Sequence, residues 1–158
     1  MALVKNTNSY VTVAEADTYF QDRIDVAAWT EASDDTKRQA LITATAQIDT
    51  LNWTGYAISE SQSLAFPRSG EYFDPRLGRT ITLDSTVPDR VLNATYELAY
   101  HLLNNDGLLD DTGTVTDLQI SSIKLNIKTN PSKIPYIVNN LVRPLLVNGG
   151  SRSWWRAN

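Results

Sequence analysis

The chain has 158 residues, of which 42% are hydrophobic and 20% charged, and this balance predicts one soluble globular domain. No apolar run reaches the length of about 18 residues that spans a bilayer. The first ten residues are too polar for a secretory signal. The chain contains no cysteine, which excludes disulfides, thiol chemistry and thiolate metal sites.

The formal net charge of −4 is distributed unevenly. Up to Asp117 the chain has eighteen acidic and eight basic residues, a net of −10. From Leu118 onwards it has six basic residues and no acidic ones, a net of +6. Such a chain is suited to pair head to tail with copies of itself. It is equally suited to present its basic end to an acidic partner, either nucleic acid or protein.

The first predicted helix begins at a capping motif. Thr12 and Glu15 have the spacing of a capping box, in which each side chain satisfies a backbone N–H of the other. The apolar residues that follow at helical spacing predict a helix over 13–29. Its apolar stripe is Ala16, Tyr19, Phe20, Ile24 and Ala27.

A second helix is predicted over 34–52. Ser33 or Asp34 provides the cap, and the acidic residues in the first turn interact favourably with the helix dipole. The apolar stripe of this helix is Leu41, Ala44, Ile48 and Leu51. Its opposite face, small and polar, is Thr43, Thr45, Gln47 and Thr50.

The segment 53–87 is interpreted as a long connection, because glycine and proline interrupt it throughout. Its aromatic residues predict packing rather than disorder. These aromatics are Trp53, Tyr56, Phe66, Tyr72 and Phe73. Pro88 and Gly107 then bound the clearest helix of the chain. The wide apolar face of that helix predicts a central position in the core.

The last third of the chain changes to period-two alternation, which predicts a β-strand or hairpin near 118–129. Two serines at 121–122 are interpreted as a bulge or bend. The strand needs a partner, and another subunit is one source of it. A final helix is predicted from about Pro135, with a kink or an early stop at Pro144. Its apolar stripe is Ile134, Ile137, Val138, Leu141 and Leu145.

The residues match no catalytic or cofactor-binding pattern. The single histidine, His101, lies in the middle of a predicted helix and is interpreted as structural. The glycine patterns of dinucleotide and P-loop sites are absent from the sequence. The acidic stretch NNDGLLDDTGTVTD lacks the register of an EF-hand. We therefore predict a protein that is not an enzyme, with no catalytic residue, cofactor or metal.

Three stretches of sequence carry a family resemblance. They are YVTVAEADTYF near the start, A-L-I-x-A-T-x-x-I-D-x-L-x-W-x-G from Ala40 to Gly55, and LAFPRSG from Leu64 to Gly70. With the central helix, the basic strand and the short last helix, they resemble the tailed-phage head–tail connector family, the adaptor or head-completion proteins. Several members of that family carry a DnaT-like single-stranded-DNA-binding label. The resemblance extends to about residue 147, and its motifs are architectural rather than catalytic.

The resemblance implies both a fold and a function. The fold is mainly α, a small bundle of about four helices with a β-strand or hairpin near 118–129 and an extended C-terminal arm. The function is that of a structural virion protein, which forms a ring, typically of twelve copies, beneath the portal protein. The ring extends the DNA channel, through which genomic double-stranded DNA passes without specific binding, and links the capsid to a neck or tail-side protein. The protein is then expected in the virion neck, and in the host cytoplasm during assembly, with no membrane partner.

The resemblance also divides the chain into a helical connector domain, 1–148, and a flexible docking arm, 149–158. The arm contains tryptophan and arginine, the residue types that are enriched in interface hot spots. The predicted portal-docking residues are Arg152, Trp154, Trp155 and Arg156. The alternatives are an arm that folds back on its own core and an arm that is disordered.

A second set of residues is predicted to contact neighbouring subunits or the tail-side protein. These residues come from the long connection and from the basic strand. They are Arg68, Tyr72, Phe73, Arg76, Lys124 and Lys128. The alternative for the long connection is a packed Ω-type loop that caps the bundle.

The alternative function is a single-stranded-DNA-binding module that uses the basic C-terminal region. Arginine beside tryptophan grips single strands by stacking and by charge. The acidic net charge of the whole chain argues against this function, because a dedicated nucleic-acid binder is usually basic overall.

Overall fold

The computed structural model describes residues 2–104, 117–120, 123–126 and 134–147. Within these ranges the chain forms five α-helices, one 3₁₀ helix and five β-strands. Three of the strands form an antiparallel sheet. The described part of the chain is therefore a mixed α/β fold, whereas we predicted a mainly α bundle.

The first helix is shorter than predicted. Helix α1, Val13–Gln21, begins at the predicted capping box, where the Thr12 hydroxyl accepts the N–H of Glu15 at 3.2 Å. A loop then joins α1 to the short helix α2, Ala27–Thr30. The predicted continuous helix is wrong because Asp25 adopts a left-handed backbone conformation, with φ 56°, which an α-helix does not contain.

This break changes which residues are buried. Ala16 and Phe20 of α1 are buried, as the apolar stripe predicts. Ile24 lies in the loop and is 94% exposed, and Ala27 is exposed at the start of α2. Trp29 of α2 is buried, and its ring centroid lies 4.9 Å from that of Phe20. The predicted stripe is therefore wrong for its last two members.

The second predicted helix is confirmed as α3, Asp34–Asp49. It begins at Ser33, one of the two predicted caps, whose hydroxyl accepts a backbone N–H of the first turn at 3.2 Å. The predicted apolar stripe is buried except for Leu51, which lies beyond the helix and is half-buried. Thr45 was predicted on the polar face but is fully buried, and its hydroxyl accepts the N–H of Tyr10 at 3.3 Å.

The clearest predicted helix is confirmed as α4, Asp89–Asn104, which begins directly after Pro88. It packs against α3, α2 and α5 and is central to the core, as predicted. The buried apolar residues on it include Val91, Ala94, Leu98, Ala99 and Leu102. His101 lies in this helix and is half-buried. The predicted stop at Gly107 lies outside the described residues.

The last helix also forms where predicted. Helix α5, Tyr136–Val142, begins after Pro135 and continues into a 3₁₀ turn, Arg143–Leu145, that contains Pro144. Proline lacks the N–H of a helical hydrogen bond, so the α-helix does not continue through it. Ile137 of the predicted stripe is 46% exposed. The buried residues of α5 are Val138 and Val142.

A three-stranded antiparallel sheet lies within 53–87, where we predicted only a connection. Its strands, in spatial order, are β1 (Tyr56–Ala57), β2 (Arg68–Asp74) and β3 (Arg79–Leu83). The strands β2 and β3 form a hairpin. Glycine, proline and charged residues interrupt the apolar alternation here, so the sequence pattern of a strand is weak.

The predicted β element near 118–129 is a hairpin. Strand β4, Asp117–Ile120, pairs antiparallel with strand β5, Ile123–Asn126. The partner strand therefore comes from the same chain, and another subunit is not required to supply it. The predicted bulge at 121–122 and the end of the element, 127–129, lie outside the described residues.

Candidate interaction surface

The three stretches that carry the family resemblance meet in one place, which we call the motif junction. Tyr10, from the first stretch, donates its hydroxyl to Asp49 of the second. The Asp49 carboxylate accepts the N–H of Ala65, from the third stretch, at 2.7 Å. The Tyr10 hydroxyl accepts the N–H of Phe66 at 3.3 Å. Trp53 packs edge-on against Phe66, with ring centroids 4.9 Å apart.

Two glycines allow β1 and β2 to approach closely beside the motif junction. Gly55 has φ 70°, and a Cβ atom added there would lie 2.2 Å from the carbonyl oxygen of Ser69. A Cβ atom on Gly70 would lie 2.9 Å from the Cα atom of Gly55. Neither position accommodates a side chain unless the strands move apart.

Arg68, one of the predicted contact residues, is engaged within the motif junction. Its guanidinium donates hydrogen bonds to three backbone carbonyl oxygens, those of Thr54 at 2.8 Å, Ala65 at 3.3 Å and Gly55 at 2.6 Å. These bonds hold the turn before β1 against the start of β2. The structure therefore gives Arg68 a role in shaping the sheet.

The chain returns to the motif junction at its last described residues. The N–H of Thr54 donates to the carbonyl oxygen of Leu145 at 2.9 Å. The N–H of Val147 donates to the carbonyl oxygen of Asn52 at 2.8 Å. The point from which the predicted arm continues is therefore fixed beside the segment that leads into β1.

The β2–β3 hairpin is anchored on α4 by a buried ion pair. Arg90 donates from Nη2 to Oδ1 of Asp74 at 2.8 Å and from Nε to Oδ2 at 3.2 Å. Asp74 is 4% exposed and also accepts the backbone N–H of Arg76 at 2.8 Å. These hydrogen bonds, chiefly those from Arg90, lower the pKa of Asp74 to about 2. The hairpin therefore extends from a rigid base.

A cleft of about 400 Å³ lies between this hairpin and the start of α4. Tyr72, a predicted contact residue, lines the cleft and is half-buried, with its hydroxyl 3.5 Å from Oδ2 of Asp74. Burial raises the pKa of the Tyr72 hydroxyl, and the charge of Asp74 raises it further. Leu83 and Leu141 form apolar parts of the wall. Nowhere in the described residues do three or more His, Cys, Asp or Glu side chains form a group that holds a metal ion.

The far end of the hairpin presents apolar and basic side chains to solvent. Phe73 is 58% exposed and Leu77 is 48% exposed. Arg76 and Arg79 are exposed, and the ion pairs formed by the described residues do not include them. We call these four residues the hairpin tip. Phe73 and Arg76 are among the contact residues predicted from the sequence, whereas Leu77 and Arg79, in and after the turn between β2 and β3, are not.

Tyr56 shares the outer face of the sheet with Phe73. Tyr56 pairs with Ser69 in the register, and alternate residues of β2 from Ser69 to Phe73 lie on one face. Tyr56 is 68% exposed, and Glu71 is exposed between the two aromatic positions. Tyr56 is not among the predicted contact residues, because its exposure depends on a strand pairing that the local sequence pattern does not reveal.

Of the other two predicted contact residues, one lies in a described strand and the other lies outside the described residues. Lys124 lies in β5, where its backbone pairs with Gln119. Lys128 lies outside the described residues. The same is true of the predicted portal-docking residues Arg152, Trp154, Trp155 and Arg156. The roles assigned to these residues stay predictions.

The described residues define a small α/β domain that is organised around the motif junction and displays an aromatic and basic hairpin. None of the helices in them is long and apolar enough to cross a membrane. The sequence profile of a family described as "Putative DnaT-like ssDNA binding protein" matches residues 2–157. This match covers nearly the whole chain, so the chain belongs to that family, and the expected DnaT-like label is confirmed. Among curated proteins and among solved structures, nothing matches the chain.

Proposed function

We propose that the chain is a structural virion protein, a head–tail connector that forms a ring beneath the portal of a tailed phage. Twelve copies are expected in the ring, which extends the DNA channel and links the capsid to a neck or tail-side protein. The observation that carries the proposal is the hairpin tip, where two apolar and two arginine side chains are exposed on a hairpin whose base is anchored to α4. The motif order that resembles the connector family gives this surface its context.

The hairpin tip has the composition of a protein-binding site. Aromatic residues and arginine are enriched in interface hot spots. The ion pair between Asp74 and Arg90 fixes the base of the hairpin, so little conformational freedom is lost on binding. Phe73 is exposed, and exposed Arg76 forms no ion pair with the other described residues, so the tip suits an acidic surface that contains an apolar pocket. We assign this contact to the neck or tail-side protein.

The second contact is assigned to the arm. We propose that Trp154 and Trp155 anchor in a pocket of the portal protein, while Arg152 and Arg156 pair with its acidic rim. The support from the described residues is the fixed position of Val147, which gives the arm a defined starting point on the domain surface.

This function needs no catalytic group and no cofactor. The protein is proposed to lie in the virion neck and to assemble in the host cytoplasm. Genomic double-stranded DNA passes through the ring, and the negative charge of most of the chain favours sliding, because an acidic surface repels the phosphates.

The contact at the hairpin tip is tested with portal particles that carry the ring and with the neck or tail-side protein of the same phage. Phe73→Ser combined with Arg76→Ser is expected to leave ring formation intact. Binding of the tail-side protein should fall about tenfold or more, because two hot-spot side chains are lost. Val4→Ser, at another exposed apolar residue, is the matched control. Equal binding by the tip variant and this control would contradict the assignment.

A second candidate function is single-stranded DNA binding. The family description favours it, and so does the presence of Tyr56 and Phe73 on one face of the sheet. Bases stack on exposed aromatic rings, and arginines such as Arg76 and Arg79 contact phosphates. Glu71 lies between the two aromatic positions on this face and repels phosphate, which makes this candidate the weaker of the two.

The two candidates differ in what the isolated protein does. The measurement is fluorescence anisotropy of a labelled single-stranded oligonucleotide titrated with the full chain at several salt concentrations. If the chain is a DNA-binding module, it binds alone, and the affinity falls steeply as salt increases. Tyr56→Ala combined with Phe73→Ala then abolishes the stacking contribution. We expect no appreciable binding, because the connector acts through protein partners.

A further inference from the structure

We propose that the loop around Ile24, residues 22–25, is one half of a head-to-tail contact between copies of this chain. The other half is the exposed face of α5. This inference rests on the proposed ring, since it states which two surfaces of neighbouring copies meet. It is tested without a portal, so it stands or falls separately from the connector function.

Ile24 is 94% exposed, although the loop that carries it is firmly held. The side chain of Arg23, the preceding residue, is paired with the carboxylate of Glu97 on α4. The carbonyl oxygen of Asp25, the following residue, accepts a hydrogen bond of 2.6 Å from the Tyr100 hydroxyl. Ile24 therefore stays exposed to solvent, because the residues before and after it are both fixed to α4.

The backbone of this loop is strained at one residue, because Asp25 has φ 56°, a region that is disfavoured for residues other than glycine. The loop is retained because Glu97, 6% exposed, needs partners for its buried carboxylate and has them in Arg23 and in the Tyr19 hydroxyl at 2.7 Å. In this conformation Ile24 points away from the core. Burial of the Ile24 side chain by a partner is favourable, because it removes apolar surface from water.

Two carboxylates flank Ile24. Asp22 and Asp25 are exposed, and neither takes part in the ion pairs among the described residues. An apolar side chain with an acidic rim selects a partner surface that is apolar and positively charged.

The exposed face of α5 has this chemistry. Tyr136 is 80% exposed and Ile137 is 46% exposed. Arg143 follows Tyr136 at a helical spacing, is exposed and is absent from the ion pairs of the described residues. The helix and its 3₁₀ turn contain no acidic residue. Asn140 is also exposed and lies one turn after Tyr136, between Tyr136 and Arg143. The face therefore combines two large apolar side chains with a neutral polar one and a single positive charge, which suits the apolar and acidic Ile24 loop.

The complementary charges of the Ile24 loop and α5 favour a second copy of this chain as the binding partner. Both surfaces are exposed in the single chain, so they do not cover each other. The Ile24 loop is bonded to α4 and α5 packs on α4, so neither surface is free to move to the other. Contact between the loop of one copy and α5 of the next is heterologous, and it repeats into a ring when the rotation closes. Contact between two Ile24 loops would place carboxylate against carboxylate, and contact between two α5 faces would place Arg143 against Arg143.

The absence of cysteine from the chain makes this contact directly testable by cross-linking. Ile24→Cys and Ile137→Cys are made separately, purified, mixed at high protein concentration and oxidised. Both positions are exposed, so both variants should fold like the wild type. Disulfide-linked dimers are expected mainly between positions 24 and 137. A mixture of Val4→Cys and Ile137→Cys, at two exposed apolar positions, measures random collision.

The charges are tested in the same experiment. Asp22→Lys, added to the Ile24→Cys variant, should lower the yield between positions 24 and 137 about two- to fivefold, the effect of one exposed ion pair. Arg143→Glu, added to the Ile137→Cys variant, should restore much of that yield.

A yield no higher than that of the Val4 control would overturn the proposal, as would a product dominated by 24–24 or 137–137 dimers. If the cross-link forms but the protein does not bind portal particles, the contact stands and the connector function is wrong. If rings form on the portal without this cross-link, the connector function stands and its ring uses other surfaces.

Discussion

At the residue scale, Gly55 shows how one position determines the geometry of the sheet. We expect Gly55→Ala to lower the free energy of unfolding by about 2–4 kcal/mol, because a methyl group there combines backbone strain at φ 70° with overlap of the Ser69 carbonyl oxygen. Gly78, with φ 64° and no atom within 4 Å of an added Cβ, is the matched control. Gly78→Ala should lose only about 1 kcal/mol. Denaturant unfolding measures both losses, and equal losses would contradict the close approach of β1 and β2.

Tyr10 joins three segments of the motif junction through one hydroxyl. Tyr10→Phe removes the acceptor of the buried Phe66 N–H, so we expect the free energy of unfolding to fall by about 1–3 kcal/mol. Tyr136→Phe, at an exposed tyrosine, should change it by less than about 0.5 kcal/mol. Burial and the carboxylate of Asp49 raise the pKa of Tyr10 well above its usual value. The Tyr10 hydroxyl therefore stays protonated between about pH 6 and pH 9. The difference in the free energy of unfolding between Tyr10→Phe and Tyr136→Phe should be constant over this range, and urea unfolding at several pH values measures it.

At the element scale, helix boundaries with strong local signals could be predicted from the sequence. The capping box at Thr12, the cap at Ser33 and the position of Pro88 each act within a few residues of the helix start, and each is confirmed. The end of α1 could not be predicted, because Ile24 has the apolar character and spacing of a helical stripe. Contacts with residues that are distant in sequence, the hydrogen bond from Tyr100 to Asp25 and the ion pair of Arg23 with Glu97, hold this segment in its non-helical conformation.

The sheet could not be predicted for a related reason. The hairpin of β2 and β3 is anchored by contacts with residues outside it, among them the ion pair of Asp74 with Arg90 on α4. The same contacts decide which predicted contact residues reach solvent. Phe73 and Arg76 are exposed, whereas Tyr72 faces the cleft beside α4. The composition of segment 53–87 indicated that it carries exposed aromatic and basic residues. Strand register determines the face on which each of these side chains lies, and composition does not reveal it.

The anchoring of the hairpin on α4 gives a pH dependence of stability. The pKa of Asp74 is about 2 in the folded chain and 3.8 without its partners, so unfolding takes up a proton in this range. The stabilisation is fully present above about pH 4 and is lost as the pH falls towards about 2. Asp74→Asn should therefore be less stable than the wild type at neutral pH. Its free energy of unfolding should also fall less steeply than that of the wild type as the pH is lowered from about 4 to about 2. Urea unfolding at several pH values measures this, and Asp22→Asn, at an exposed carboxylate, should retain the wild-type slope.

At the scale of the whole molecule, charge is unevenly distributed along the chain, and several large apolar side chains are exposed. The segment up to Asp117 carries −10 and the remainder +6, so a copy can attract the next copy end to end. The hairpin tip and the Ile24 loop are exposed on different elements of the same domain, and we propose that they serve different partners. The motif junction fixes the sheet, the turn before it and the segment that ends at Val147 together.

The most direct test of the connector proposal compares the full chain with a chain that ends at Asn148 for assembly on portal particles, imaged by electron microscopy. The shorter chain keeps Val147 and its hydrogen bond to Asn52, so its domain should fold normally. We predict that the full chain forms rings on the portal and that the shorter chain does not. Equal assembly of both chains would contradict the docking role of the arm. Failure of both chains, together with salt-sensitive binding of single-stranded DNA by the full chain, would contradict the connector function itself.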